Sequence, residues 1–327
     1  MAAELARVLI YGDIHLSSKN YGAHRDYAQE SLECYRKVTE ACEKHNVTHL
    51  IGLGDFTYGR FNTLEYRESV EYELYKQYEL VNGNHYELKG NHDSASYGMT
   101  EYEYYIKKGL LKPSCNITLG HVHFTMFDSG MYDKVVPNFG IGNNSTNIVL
   151  THDYFKFRDT LVPDFGKCVE LDNKSEWFPM DYMICGHIHN QLAFEGLILK
   201  EIDGQTHGKR VLVQYPGALA RPVYREGHMD AVGQLILLTI YDNLEMRYDV
   251  LDVELRELNE SFNLSAKAAE QAKKEMKEKR VDISDIIQQL SRHERILGNP
   301  EDIILAMVDV DERYKCKAIE LLKLGLS

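Results

Sequence analysis

The sequence predicts an α/β sandwich: two packed mixed β-sheets flanked by helices, followed by a helical C-terminal region. Three observations carry this. Near the start, a strand, a helix and a second strand follow one another, and both strands end in Gly-Asp. That order is a βαβ unit, in which ligands gather at the carboxyl ends of the strands. From about residue 115 the pattern turns to a series of short apolar strands. From residue 255 onward, turn residues almost vanish and Ala, Lys, Glu, Leu and Ile dominate.

The elements follow in order. Arg7 to Tyr11 is an apolar run ending in Gly12-Asp13, which reads as a buried strand with an acid at its end. Residues 25–44 place Ala28, Leu32, Tyr35, Val38 and Ala41-Cys42 near the helical period. Val47 to Asp55 repeats the strand ending in Gly-Asp, and residues 65–80 form a Tyr- and Glu-rich helix. Gly-Asn-His then occurs twice. Gly83-Asn84-His85 reads as a helix cap and the start of a short strand. Gly90-Asn91-His92 stands at that strand's end and is followed by Asp93.

Further strands are expected at Asn116 to Phe127, Asn147 to His152, Tyr182 to His187, Val211 to Tyr215, Gln234 to Tyr241 and Leu244 to Val253. Asn299-Pro300-Glu301-Asp302 is a helix start, with a cap, a proline in the first turn and acids at the positive end. We divide the chain into a body, residues 1–254, and a helical region, residues 255–327.

Composition narrows the class. The 327 residues are 44% hydrophobic and 27% charged, which suits a globular protein with a sizeable core. No apolar run has the length of a membrane span, and residues 1–7 lack a signal-peptide core, so we expect a cytoplasmic protein without membrane contact. The cysteines (Cys34, Cys42, Cys115, Cys168, Cys185 and Cys316) are scattered and read as free thiols. The net charge is −13, and the short basic runs near Lys273 and Lys277 alternate with Glu. A chain that grips nucleic acid alone usually carries a basic stripe. Part of the negative charge belongs to carboxylates that would face cations.

The polar residues at strand ends form an ordered set: Asp13-Ile14-His15, Gly54-Asp55, Gly90-Asn91-His92-Asp93, Thr151-His152-Asp153 and Gly186-His187-Ile188-His189. Carboxylate, imidazole and amide oxygen suit Mn²⁺, Fe²⁺ or Zn²⁺ better than a thiolate-preferring ion. A lone Asp-x-His or Gly-Asp is weak, because chance matches are common. Five such pieces in one order, all at strand ends, are specific. Gly120-His121-Val122-His123 imitates the last piece, but its histidines fall inside an expected strand, and it precedes Thr151-His152. We read His121 and His123 as structural.

This ordered set resembles the calcineurin-like metallophosphoesterases over residues 7–254. The resemblance implies a four-layer sandwich with a two-metal site on loops at the strand ends. It implies that Asp13, His15, Asp55 and His189 hold one metal and that Asp55, Asn91, His152 and His187 hold the other, with Asp55 shared. The metals would be two divalent cations, Mn²⁺ foremost, with Fe²⁺, Zn²⁺ or Mg²⁺ as alternatives. A water acidified between them would attack phosphorus in line. His92 would not be a ligand but would protonate or hydrogen-bond the leaving oxygen. Asp93 orients His92 or keeps it charged, or else caps the turn.

Within the superfamily the chain is most similar to SbcD-type DNA nucleases, through Gly90 to Asp93, Tyr215-Pro216-Gly217-Ala218 and the closing strand pair Gln234 to Val253. That likeness implies an exonuclease and endonuclease in DNA repair and recombination. It also implies a coiled-coil ATPase partner of the SbcC type, docking on residues 282–324 through an apolar helical face. A homodimer is the alternative use of that face. Tyr58 stands where relatives often carry Asp or His. Tyr58, Arg60, Arg221 and Arg225 are candidate substrate contacts. Two other readings remain: a phosphomonoesterase or cyclic-nucleotide phosphodiesterase, which the acidity favours, and a non-catalytic metal-stabilised scaffold.

Overall fold

In a computed structural model, residues 2–20, 24–58, 62–94, 98–132, 134, 139–140, 144–157, 168–171, 175–220, 233–256 and 258–262 are described. The first half runs β1 (Glu4–Tyr11), α1 (Tyr27–Lys44), β2 (His49–Gly52), α2 (Leu64–Leu80), β3 (His85–Glu87), α3 (Glu101–Lys108) and β4 (Lys112–Pro113). The second half is β5 (Ile117–Leu119), β6 (Val122–Phe127), β7 (Thr146–Thr151), β8 (Phe155–Lys156), β9 (Val169–Glu170), β10 (Tyr182–Cys185), β11 (Leu192–Ile202), β12 (Gln205–Tyr215), β13 (Gly233–Tyr241) and β14 (Met246–Val253). A short helix, α4 (Leu258–Ser261), follows. No described helix is long and apolar enough to cross a membrane.

The strands make two six-stranded mixed sheets, in the orders β14-β13-β1-β2-β3-β4 and β11-β12-β10-β7-β6-β5. Strands β1 to β4 run parallel, as do β6, β7, β10 and β12. Central strands must bury both faces, and the sequence supplies this. In β1, Val8 and Ile10 face the second sheet, whereas Leu9 and Tyr11 face the helices. The inter-sheet core joins Val8, Ile10, Ile51, Leu53 and Leu238 to Phe124, Ile148, Leu150 and Ile184. Each such side chain contributes roughly 1.5–3 kcal/mol by leaving water.

Helices α1 to α3 cover the outer face of the first sheet. Asp26 caps α1 by accepting from the Gln29 amide (3.1 Å), and Leu32, Tyr35, Val38 and Cys42 form its buried stripe. The outer face of the second sheet is covered, among the described residues, by aromatic side chains around Trp177, which stacks on Phe127 with ring centroids 5.7 Å apart.

Three elements depart from the expectations. The stretch 116–127 is a hairpin, not one strand, because Gly120 turns at φ 58° between β5 and β6. His121 therefore lies in a turn and only His123 lies in a strand, bonded to Thr118 (3.1 Å). Helix α3 was not anticipated, although Thr100 and Glu103 form a capping box and Gly109 closes the helix in the left-handed region. Strand β11 was also missed. It pairs with β12 across Asp203-Gly204, both at positive φ, which is hairpin-turn chemistry.

The compact unit runs to Asn263, past the boundary placed at 254. Arg256 forks onto Glu33 of α1 (2.6 and 2.7 Å), and the Arg25 amide donates to the Ser261 carbonyl (2.9 Å). The expected partner-docking segment, 282–324, lies outside the described residues.

Candidate metal centre

The five sequence pieces meet at one edge of the sandwich. Asp13 and His15 follow β1, Asp55 follows β2, and Asn91 to Asp93 follow β3. From the second sheet, His152 follows β7, and His187 and His189 follow β10. The loops are tied together. The His15 amide donates to the Asp55 carbonyl and the Leu16 amide to the Phe56 carbonyl, each at 2.9 Å. His15, Asp55 and His187 take φ of 50°, 51° and 76°. Such left-handed non-glycine residues are uncommon and cluster at functional sites. Gly90 permits a close approach, because a Cβ there would overlap the Asp55 amide nitrogen and carboxylate.

Side-chain donors converge on two overlapping groups: Asp13 with His15 and His189, and Asp13 with Asp55 and His152. His15 Nε2 stands 2.9 Å from His189 Nε2, and Asp13 Oδ2 lies 3.5 Å from the latter. Asp55 Oδ2 reaches both sides, 3.9 Å from His15 Nε2 and 3.2 Å from His152 Nε2. Asn91 Oδ1 lies 3.2 Å from His152 Nε2 and 3.0 Å from His187 Nδ1. Asp13 also accepts from the His187 amide through both oxygens (3.1 Å). All seven residues singled out as ligands are thus brought together.

Charge balance tests the fit. Among the described residues, Asp13 and Asp55 meet imidazoles and backbone amides, and no lysine or arginine. Burial lifts the Asp13 carboxyl to about 7, helped by the charge of Asp55 and opposed by His152. Burial would also raise Asp55, but the hydrogen bond and charge of His152 hold it below the usual carboxylate range. Burial opposes a charge on His152, yet Asp13 and Asp55 push it up to about 10. Burial lowers His15 to about 3, which keeps its ring neutral and able to serve as a ligand. A buried pair of carboxylates that draws a proton onto one histidine, beside the His15 and His189 rings whose Nε2 atoms face each other, is a donor set that takes divalent cations. His15 Nδ1 is buried with no hydrogen-bond partner among the described residues, so the ring's polar engagement is through Nε2 into the cluster.

His92 stands on the open side of the cluster and its side chain is exposed. Its amide donates to Asp55 Oδ1 at 2.8 Å. The Tyr58 ring lies against His92 (centroids 4.7 Å apart) and edge-on to His15 (5.2 Å). Asp93 is fully buried and accepts from the amides of Gly90 (3.0 Å), Phe56 (3.1 Å) and Thr57 (3.0 Å) and from the Thr57 hydroxyl (3.3 Å). Those are the contacts of a cap joining two loops, and none goes to the His92 ring. Arg60, Arg221 and Arg225 lie outside the described residues. His121 and His123 join no metal-holding group among the described residues.

Sequence reasoning passed over Glu87, which is fully buried beneath the cluster and accepts from the Gly54 amide (3.2 Å). Its only signal was an acid in the short strand leading to Gly90-Asn91-His92.

The family model of the calcineurin-like phosphoesterases matches residues 6–191, and the chain belongs to that family. Members use two divalent metals, and the residue groups above fit a dinuclear site. No curated protein matches the chain. Among solved structures it is similar to a dimetal phosphatase from Danio rerio, at 10% identity and a TM-score of 0.41, over 78% of this chain and 100% of that one.

Proposed function

We propose that the chain is a two-metal phosphodiesterase acting on DNA. The observation that carries the two-metal reading is Asp55, whose Oδ2 reaches His15 on one side and His152 on the other. One cation would be held by Asp13, His15, Asp55 and His189, and the second by Asp55, Asn91, His152 and His187. When bound, the pair supplies Lewis acidity to phosphoryl oxygens and lowers the pKa of water. His187 and Asn91 are exposed and border the open face, where a phosphate would lie.

In this reading His92 acts on the leaving oxygen. Its backbone is anchored to the shared carboxylate, and Tyr58 limits how its ring can swing. A protonated imidazole there donates to the oxygen as negative charge develops on it. Because this side faces solvent, the leaving group can be the remainder of a polymer.

Two observations bear on the substrate. The Tyr215-Pro216-Gly217 segment that resembles the SbcD-type nucleases sits beside Asp13: Gly12 packs so closely on the Gly217 carbonyl that a Cβ would overlap it. This supports DNA. The net charge of −13 supports the second reading, a phosphomonoesterase or cyclic-nucleotide phosphodiesterase. A coiled-coil ATPase partner supplying basic surface reconciles the charge with DNA. The free cysteines among the described residues support a reducing, cytoplasmic setting.

The test is a substrate panel with Mn²⁺: single-stranded DNA, bis-p-nitrophenyl phosphate, p-nitrophenyl phosphate and cyclic nucleotides, with and without the co-purified ATPase. Cleavage of DNA and the diester is expected. Strong preference for the monoester would replace the nuclease reading with the second one.

A further inference from the structure

Beneath the metal centre lies a buried polar chain that the reaction chemistry does not use. Glu87 on β3 is fully buried. Its Oε1 accepts from the Gly54 amide at 3.2 Å, and its Oε2 is hydrogen-bonded by the Tyr11 hydroxyl. That hydroxyl also stands 3.1 Å from Nε2 of His85, another fully buried side chain. Gly52 leaves room for this arrangement, since a Cβ on it would overlap the Glu87 carboxyl.

The peptide bond that Glu87 engages is the one between Leu53 and Gly54. Its other end, the Leu53 carbonyl, lies 2.7 Å from His152 Nδ1. One peptide group therefore joins Glu87 to His152, whose Nε2 faces Asp55 and Asn91. The geometry points to Glu87 as a positioning residue of the metal centre, acting through the Leu53–Gly54 peptide on His152 and on the adjoining Asp55.

The physical argument has two parts. A carbonyl whose own amide N–H is already engaged by an acceptor is polarised and accepts more strongly, because linked hydrogen bonds reinforce one another. A strong acceptor at Leu53 keeps the proton on His152 Nδ1, so that Nε2 presents its lone pair to a cation. Partners of this kind fix the tautomer and orientation of a metal-binding histidine. The same bond also fixes the Leu53–Gly54 peptide plane, one residue before Asp55, whose backbone is held at positive φ. Burial raises the Glu87 carboxyl well above its usual range. A neutral amide of the same shape is thus the conservative replacement.

This inference rests on the two-metal reading, and the experiment separates the two. Mn²⁺ binding to the full chain is followed by electron paramagnetic resonance of the free ion, for the wild type, Glu87→Gln, Glu87→Leu and Tyr11→Phe. The hydrogen-bonded Nδ1 proton of His152 is followed by NMR in the same metal-free proteins. Glu87→Leu is expected to weaken Mn²⁺ binding by about 10–100-fold, the effect typical of losing such a partner. It should also move the His152 Nδ1 proton toward the position of a histidine N–H without a strong acceptor. Glu87→Gln should restore both, and Tyr11→Phe should fall between.

A folded Glu87→Leu protein with wild-type Mn²⁺ affinity and an unmoved His152 proton would overturn the proposal. So would a Glu87→Gln protein as impaired as the leucine variant. If Glu87→Leu does not fold, the glutamine and phenylalanine variants decide by the same readouts. If the wild type binds no Mn²⁺, the two-metal reading fails, and the His152 proton alone decides the role of Glu87.

Discussion

Replacing Asp93 by Asn distinguishes a cap from a partner of His92. The carboxylate holds three buried backbone amides, with Oδ2 taking Gly90 and Phe56 and Oδ1 taking Thr57 and its hydroxyl. An asparagine can keep its oxygen on the side that serves Gly90 and Phe56. Its NH₂ then meets the Thr57 N–H, donor against donor. One buried unsatisfied donor costs about 1–3 kcal/mol. The two remaining bonds also lose their charge assistance, which makes such bonds roughly twice as strong as neutral ones. The sum is a destabilisation of roughly 2–4 kcal/mol. Urea denaturation of the metal-free protein measures it as a lower midpoint at unchanged slope. An unchanged midpoint, combined with a lost or displaced leaving-group limb in the pH profile of kcat, would refute the cap and make Asp93 the partner of His92.

Four further outcomes are expected. His92→Ala should lower turnover by about 10²–10⁴-fold, the usual contribution of a general acid, while Mn²⁺ affinity measured by calorimetry stays the same. Gly90→Ala should cost about 1–3 kcal/mol by overpacking and weaken Mn²⁺ binding, since Asp55 must move to admit the Cβ; thermal melts with and without Mn²⁺ show both. Asn84→Ala should leave activity on bis-p-nitrophenyl phosphate near wild type, whereas Asn91→Ala should remove it. Chelation of metal should lower the melting temperature, and restoring Mn²⁺ to 100 times its Kd should return about 2.7 kcal/mol.

Strands β1, β2, β3, β7 and β10 were legible because each ends in a metal piece, and a strand ending in Gly-Asp or Gly-His announces itself by composition. What failed has particular causes. Residues 116–127 alternate so regularly that Gly120 passed as a strand residue, yet its positive φ turns the chain there. In α3, Glu101-Tyr102-Glu103-Tyr104-Tyr105 offers little apolar stripe, so periodicity was silent and only the cap residues spoke. The second Gly-Asn-His was separable from the first by context, and the structure shows what context meant. Asn84 sits beyond the end of α2 and meets Lys112 (3.1 Å), whereas Asn91 faces His152 and His187. Locally, His85 reads only as the start of a strand, because nothing nearby in sequence reveals that Tyr11, 74 positions away, stands over it.

The centre draws its donors from both sheets. Asp13, His15, Asp55 and Asn91 come from the first, and His152, His187 and His189 from the second. Neither sheet alone brings two carboxylates and enough imidazoles together, so the cluster exists only once the inter-sheet core has closed. Without cations, that closure forces Asp13 and Asp55 together in a buried place, and a proton on His152 is the compensation at hand. Cations held there would take the place of that proton and engage side chains of both sheets at once. Binding free energy then appears as folding free energy, because no such site survives in the unfolded chain. The Leu53–Gly54 peptide lies at this seam: its carbonyl meets His152 of the second sheet and its amide meets Glu87 of the first. The features that make the metal centre are therefore the same ones that hold the two halves of the sandwich in register.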